Sequence, residues 1–162
     1  MANDRLSTYL NDHLAGAVAA LDLLARLEAA QAGTPAASSL AELRADIAAD
    51  RQKLEALMAR LEIDESRSRK ALAWIAERAT HLKLRVDDSS DGALARLEAL
   101  DALAVGIEGK RALWQALAAA ADGSPDLQGV DYDRLTQRAD EQRDRVEALR
   151  LEAARSALVG VR

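Results

Sequence analysis

The sequence predicts an all-α protein in which four long helices form a bundle and a shorter basic helix joins the second long helix to the third. Apolar side chains, mainly Leu and Ala, recur at steps of three and four residues along most of the chain. Hydrophobic residues make up 49% of the sequence and charged residues 30%, with 2 Pro, 8 Gly and no Phe, so residues that favour strands are too scarce for a sheet. The 162 residues fit one domain, 1–162.

The first two helices are expected at about 5–31 and about 38–62. The first ends before Gly33-Thr34-Pro35. The second is expected to open at Ser38-Ser39, where Glu42 follows Ser39 by three residues and completes a capping box. The stop signals at 63–66 are weaker, which leaves open a helix that continues past this point. The apolar stripe of the second helix consists of Leu40, Leu43, Ile47, Leu54, Leu57 and Leu61.

Three further helices follow, at about 66–86, about 91–121 and about 131–159. The loop before the fourth helix, Asp87-Asp88-Ser89-Ser90-Asp91-Gly92, is a strong break, and Asp122-Gly123-Ser124-Pro125 closes that helix. The middle helix, 66–86, carries a stripe of five apolar residues: Leu72, Ile75, Ala79, Leu82 and Val86.

Helix length indicates how these elements connect. At about 1.5 Å per residue, the long helices span roughly 40 Å and the middle helix roughly 30 Å, which suits a crossover from the end of the second helix to the start of the fourth. The long helices would then form two antiparallel hairpins. A five-helix up-down bundle is the alternative topology, because nothing in the sequence fixes the side on which the middle helix packs.

Four polar residues interrupt the apolar stripes: His13, Asp50, Glu108 and Gln142. Reflecting the second hairpin about its turn places Glu108 near Gln142, within about one helical turn, with Arg111 as a local partner. Reflecting the first hairpin leaves His13 and Asp50 roughly 10 Å apart along the axis. We therefore expect a buried polar patch of Glu108, Arg111 and Gln142, with His13 buried separately near the middle of the bundle.

Two interpretations of these residues remain open. Carboxylates and imidazole projecting into a bundle core are suitable ligands for iron or manganese, and the candidate ligands are Glu108, His13, Asp50 and Glu141. We favour the other interpretation, in which the polar residues pair with one another and fix the register of the helices, so that no metal or cofactor is expected.

The middle helix is basic, which suggests an anionic partner as a further alternative. Within it lie Arg67, Arg69, Lys70, Arg78, Lys83 and Arg85. The whole chain has a formal net charge of −5, which disfavours a general nucleic-acid binder, and it has no apolar run that predicts a membrane span. A cytoplasmic location is the expectation. Phosphate-loop, nucleophile-elbow and zinc-protease motifs are absent from the sequence, which favours a protein that is not an enzyme.

Two stretches, 9–16 (YLNDHLAG) and 103–114 (LAVGIEGKRALW), resemble uncharacterised bacterial ferritin-like proteins. The resemblance implies a four-helix core with a crossover between the second and third core helices, and descent from carboxylate-bridged di-iron proteins. The family's site uses one Glu on each of two helices and Glu-x-x-His on each of the other two. No Glu in this chain is followed three residues later by His. Only Glu108 matches a ligand position, with His13 near that of the first-helix Glu.

The functional prediction combines these points. We expect a non-catalytic binding or assembly protein of ferritin-like descent that lacks an intact di-iron site. Its extensive Ala and Leu faces favour a homodimer. A divergent metal-binding oxidase or storage protein and an anion-binding module remain the alternatives.

Overall fold

The computed structural model describes residues 4–65 and 92–159, and these residues are all-α, as predicted. They form four long helices, α1 (Asp4–Ala30), α2 (Pro35–Arg60), α3 (Gly92–Ala121) and α4 (Tyr132–Leu158), with a short 3-10 turn at Pro125–Leu127. The predicted middle helix, 66–86, and its six basic residues lie outside the described residues.

The turn between α1 and α2 differs from the predicted one. Helix α2 begins at Pro35, with Thr34 in an extended conformation at the N-cap, so Ser39 and Glu42 lie inside the helix and do not form a capping box. Proline suits the first helical position because its fixed φ matches the helix and the missing N–H would have no intrahelical acceptor. Gly33 has a φ of 82°, a left-handed conformation that glycine adopts without steric strain.

Specific backbone and side-chain contacts also define the end of α2 and the start of α4. Glu62, with a φ of 54°, stops α2, and the Ile63 N–H returns to the Met58 carbonyl at 2.9 Å. At the start of α4, the Asp131 carboxylate accepts a hydrogen bond from the Arg134 N–H at 2.9 Å. The Tyr132 hydroxyl donates to the Leu127 carbonyl at 2.7 Å and so fixes the 3-10 turn beneath α4.

Each helix packs antiparallel to its neighbours. Helix α1 contacts α2 and α3, and α4 contacts α3 and α2. The pairs Arg111–Asp140 and Arg96–Glu152 join α3 to α4 in antiparallel register. The pairs Asp50–Arg138 and Asp46–Arg145 do the same for α2 and α4. Helices α2 and α3 therefore lie diagonally across the bundle and run in the same direction.

The core consists of two hydrophobic clusters stacked along the bundle axis. One includes Ile47 and Ile107 together with the buried leucines at the end of α1. The other includes Leu54 and Leu113 and extends to the 3-10 turn. On both α2 and α3 the residue between the two clusters is polar, namely Asp50 and Lys110. The bundle thus contains a polar layer between two apolar ones.

Candidate functional site: a buried carboxylate between α2, α3 and α4

Asp50 is the most deeply buried charged residue in the described part of the chain, with 1% of its surface exposed. It lies three residues after Ile47 and four before Leu54, so it shares their inward face of α2. An isolated carboxylate at this depth would be strongly disfavoured, because burial removes its hydration. Its environment must therefore supply both charge and hydrogen bonds.

Three side chains donate to this carboxylate. Lys110 Nζ of α3 lies 2.6 Å from Oδ2, Arg138 Nε of α4 lies 2.8 Å from Oδ1, and Gln142 Nε2 lies 2.8 Å from Oδ2. Gln142 also accepts a hydrogen bond from Lys110 through its Oε1. These four residues, which we call the Asp50 centre, connect three of the four helices.

A contact with the backbone of α2 also holds Arg138 in place. Its Nη2 donates to the backbone carbonyl of Asp46 at 3.2 Å, one turn before Asp50 on α2. The Asp46 carboxylate in turn pairs with Arg145, one turn beyond Gln142 on α4. The ionic contacts between α2 and α4 therefore extend over about one turn of α2 and two turns of α4. These contacts set the register of two helices that are not consecutive in the chain.

One carboxylate faces two cations in the Asp50 centre, so its formal net charge is +1. Gln142 donates a hydrogen bond to Asp50 and accepts one from Lys110. Burial lowers the pKa of the Lys110 ammonium below its usual value, and the neighbouring Asp50 carboxylate opposes that shift. Arg138 remains 27% exposed, so part of its guanidinium reaches solvent.

This arrangement limits the chemistry of Asp50. A general base must have a lone pair available to its substrate, and a metal ligand must direct one at the ion. Both oxygens of Asp50 already accept charge-assisted hydrogen bonds. Binding a metal here would require displacing Lys110 or Arg138 from the carboxylate. The geometry suits a structural ion cluster.

The predicted buried patch of Glu108, Arg111 and Gln142 does not form. Gln142 is buried, at 1% exposure, but the Glu108 side chain is 54% exposed. Glu108 pairs on the surface with Arg111 at 3.6 Å, as predicted, and also with Arg143 at 3.7 Å. The physical reason is rotation: one residue beyond the buried Ile107, the helix has turned by about 100° and carries Glu108 out of the core.

His13 lies on α1 and is half-buried, in edge-to-face contact with Tyr9 at 4.7 Å between ring centroids. Burial lowers its pKa, and the negative charge of Asp12 opposes the shift. The described hydrogen-bond partners of Asp50 come from α3 and α4.

The four candidate metal ligands do not form one cluster. Asp50 is buried in the core, and both it and His13 line one cavity beside α1 and α3, whereas Glu108 lies on the surface. Glu141 is 49% exposed on α4 and pairs with Arg134 at 3.2 Å. Within 4–65 and 92–159, no group of three or more acidic or histidine side chains is placed to hold a metal ion.

The sequence did not lead us to predict two residues of the Asp50 centre, Lys110 and Arg138. Lys110 lies three residues after Ile107 and four before Trp114, and Arg138 lies three after Leu135 and four before Gln142. Both spacings mark inward positions on a helix. Long basic side chains are usually exposed. The position of Lys110 and Arg138 on apolar stripes was therefore the sequence signal that could have identified them.

A largely apolar groove of about 920 Å³ lies between α1 and α3, and Asp50 and Lys110 of the Asp50 centre are among the residues that line it. Its walls carry small residues, among them Gly16, Ala20, Ala102 and Gly106. No described atom lies within 4 Å of a Cβ placed at Gly106. The glycines of α3 therefore contribute to an open groove.

Among the described helices, none is both long enough and apolar enough to cross a membrane. Compared with protein-family models, with curated proteins and with solved structures, the chain matches none of them.

Proposed function

We propose that this chain is a non-catalytic helical bundle of ferritin-like architecture that acts by binding or assembly, and that the Asp50 centre is a structural element of the bundle. The observation that carries the proposal is that Lys110, Arg138 and Gln142 donate to both oxygens of Asp50. A carboxylate with both oxygens engaged by internal donors is suited to fixing helix register.

The ferritin-like part of the proposal rests on the helix arrangement. Two antiparallel hairpins pack side by side, and α2 and α3 run in the same direction on a diagonal. This arrangement requires a long connection between the hairpins, as in ferritin-like folds. In metal-binding members of that fold, the positive charge facing the core carboxylates comes from metal ions. Here, we propose, Lys110 and Arg138 supply that charge.

Elemental analysis tests the non-metal part of this proposal. The full chain is purified without chelator, its metal content is measured, and it is then titrated with Fe(II), Mn(II) and Zn(II). We expect far less than one metal ion per chain. Near-stoichiometric metal that is lost in Asp50→Ala or Glu108→Ala would contradict the proposal. Asp22→Ala, which changes an exposed carboxylate paired with Arg26, is the matched control.

The assembly part is supported by exposed apolar residues near the end of α4. Leu151 is 43% exposed, and Leu158 and Val159 are 68% and 69% exposed. The two leucines are seven residues apart, so they share one face of the helix. We propose that a second copy of the chain contacts this face.

Sedimentation velocity over a range of concentrations tests this surface. The wild-type chain is expected to dimerise, and Leu151→Glu with Leu158→Glu is expected to shift it to the monomer. Gln52→Glu with Ala59→Glu, which also adds two charges seven residues apart but at exposed α2 positions, should leave the dimer intact. A wild-type chain that is monomeric at every concentration would exclude self-assembly.

A further inference from the structure

We propose that the cavity between α2 and α4 binds a small phosphate ester, whose phosphate group is held by basic residues of the two helices. The cavity has a volume of about 560 Å³, and four of the residues that line it are basic: Lys53, Arg60, Arg134 and Arg138. Small-molecule sites are commonly concave cavities of this order of size. The inference does not depend on the proposed function, since a failure to bind phosphate would leave the structural role of Asp50 unchanged.

The four basic residues border one strip of the bundle. Lys53 lies about one turn after Asp50 on α2, and Arg134 lies about one turn before Arg138 on α4. The Asp50–Arg138 contact fixes the register of these antiparallel helices, so the other two residues lie at about the same level. Arg60 is two turns beyond Lys53, so the strip extends over roughly 15 Å of the bundle axis.

The lining of the cavity carries an excess of positive charge. Two carboxylates, those of Asp50 and Asp131, lie among its residues together with the four cations, which gives a formal net charge of +2. The whole chain, in contrast, has a formal net charge of −5. A phosphate monoester carries a charge of about −1.5 to −2 at pH 7, which matches the excess in the cavity.

Several donors of these cations are available to a ligand. Neither Lys53 nor Arg60 has a carboxylate partner within 4–65 and 92–159, and both residues are exposed. Arg60 Nη2 donates to the backbone carbonyl of Asp126 at 2.9 Å. Arg138 uses Nε and Nη2 within the bundle, which leaves Nη1 without an acceptor among the described residues. Guanidinium and ammonium groups with free N–H donors are the usual protein partners of phosphate oxygens.

The basic residues that line the α1–α3 groove differ in this respect, because each of them lies within ion-pair distance of a carboxylate. The four pairs are Arg26–Asp22, Arg51–Glu55, Arg96–Glu152 and Lys110–Asp50. The positive charge of these residues is therefore balanced inside the protein. The cavity between α2 and α4 is the better anion site of the two.

The apolar part of the lining favours an ester over inorganic phosphate. Leu57, Val130 and Leu135 line the same cavity as the basic residues, and the two leucines belong to the hydrophobic core. An organic group attached to the phosphate would remove apolar surface from water against these side chains. Because the floor of the cavity reaches core residues, a small soluble molecule fits it better than the flat surface of a membrane.

Isothermal titration calorimetry of the full chain tests the proposal, with phenyl phosphate and inorganic phosphate as the probes. The test variant, Lys53→Gln with Arg60→Gln, removes the two cations that have no carboxylate partner in the described structure. The control variant, Arg44→Gln with Arg155→Gln, removes the same charge from exposed positions of α2 and α4 that do not line the cavity. In about 0.1 M salt the Debye length is about 10 Å, so the control changes the net charge with little effect at the site.

We expect the wild-type chain to bind phenyl phosphate with a Kd of about 1 mM or lower, and more tightly than inorganic phosphate. The test variant should bind phenyl phosphate at least about tenfold more weakly, because it loses charged hydrogen bonds to the phosphate oxygens. The control variant should bind within about twofold of the wild type.

Three results would overturn the proposal. One is the absence of phenyl phosphate binding by the wild-type chain, and another is equal weakening in the two variants. The third is equal affinity for the two probes, which would show that the organic group makes no contact. Vesicles of phosphatidylcholine with phosphatidic acid are a further arm of the experiment. Binding to these vesicles without binding to phenyl phosphate would assign the basic residues to a membrane surface and contradict the proposal.

Nuclear magnetic resonance of the wild-type chain covers the case in which the test variant misfolds. Gly129 and Val130 line the cavity, whereas Gly16 and Gly106 line the α1–α3 groove. Phenyl phosphate should shift the backbone amide signals of the first two residues saturably and leave those of the other two in place. Unshifted signals at Gly129 and Val130, or equal shifts at all four residues, would contradict the proposal.

Discussion

Asp50 shows how one residue can be both unfavourable by itself and important to the bundle. At 1% exposure its carboxylate has lost its hydration, and its stability in the core depends on Lys110, Arg138 and Gln142. The Lys110 ammonium depends on Asp50 in turn, because burial lowers the pKa of Lys110 and the Asp50 carboxylate opposes that shift. Removing Asp50 therefore leaves the Lys110 ammonium in the core without its carboxylate.

We predict that Asp50→Ala lowers the free energy of unfolding by about 3–5 kcal/mol, since it leaves Lys110 and part of Arg138 unpaired in the core. Urea denaturation followed by circular dichroism measures the change. Asp22→Ala, which breaks the exposed pair with Arg26, should change stability by less than about 1 kcal/mol.

The complementary variant replaces the buried polar groups together. Asp50→Leu, Lys110→Met and Gln142→Leu remove the carboxylate and both of its buried partners, while Arg138 reaches solvent. The triple variant should be more stable than Asp50→Ala, because it no longer leaves the Lys110 ammonium in the core without its carboxylate. If the three substitutions lower stability additively, the residues do not form the coupled cluster described above.

His13 gives a prediction about pH. Its folded pKa lies below the ordinary value of 6.5, with burial as the main cause and Asp12 opposing it. The unfolded chain therefore binds the proton more readily, and the free energy of unfolding falls as pH drops through 6.5 towards the folded pKa.

Urea unfolding of wild type and His13→Gln at pH 7.5 and pH 5 isolates this contribution, because the acidic residues titrate in both proteins. The wild-type chain is expected to lose more stability on acidification than the variant. An equal loss in the two proteins would show that His13 has the same proton affinity in the folded and unfolded states.

At the scale of elements, the long helices were predictable because Leu and Ala recur at helical spacing over four or more turns. The start of α2 was predicted incorrectly, at Ser38-Ser39, because the capping-box pattern of Ser39 and Glu42 was given more weight than Pro35. Proline at the first helical position and Gly33 before it mark the real boundary. A Ser followed three residues later by Glu also occurs inside helices. The backbone conformations that Pro35 and Gly33 favour are therefore the stronger sign of where α2 begins.

The α1–α2 turn can be tested through Gly33, whose φ is 82°. We predict that Gly33→Ala lowers the free energy of unfolding by about 1 kcal/mol, because a Cβ disfavours the left-handed conformation. Gly123→Ala, in the turn after α3, is the control. Its new Cβ would meet no atom closer than the Ala120 carbonyl at 4.0 Å, so a change within about 0.5 kcal/mol is expected. Thermal unfolding of both variants measures the difference.

At the scale of the whole molecule, the burial of Asp50 and Gln142 followed from their position on apolar stripes, but their contact did not. Reflection about a turn aligns only the helices that the turn joins, and Asp50 and Gln142 lie on α2 and α4, which are in different hairpins. Pairing across hairpins depends on how the two halves pack. For Glu108 the axial level was right, as its contact with Arg143 shows, but the side of the helix was wrong.

The Asp50 centre forms a polar layer between two hydrophobic clusters. Apolar packing alone would allow the hairpins to slide along each other, whereas Asp50 meets its donors in only one register. We propose that this specificity is the role of the layer, in keeping with buried polar residues that fix helix pairing at some cost in stability.

The most direct test of the structural role of Asp50 is the free energy of unfolding of the wild-type chain in the presence and absence of metal. Urea titrations are run in EDTA and then in Fe(II), Mn(II) or Zn(II), with Asp50→Ala alongside. We predict the same wild-type stability in every condition and a large loss of stability in Asp50→Ala that no metal changes. A metal bound at a hundred times its Kd would stabilise the fold by about 2.7 kcal/mol. A metal-dependent gain of that order in the wild type, abolished by Asp50→Ala, would contradict the account.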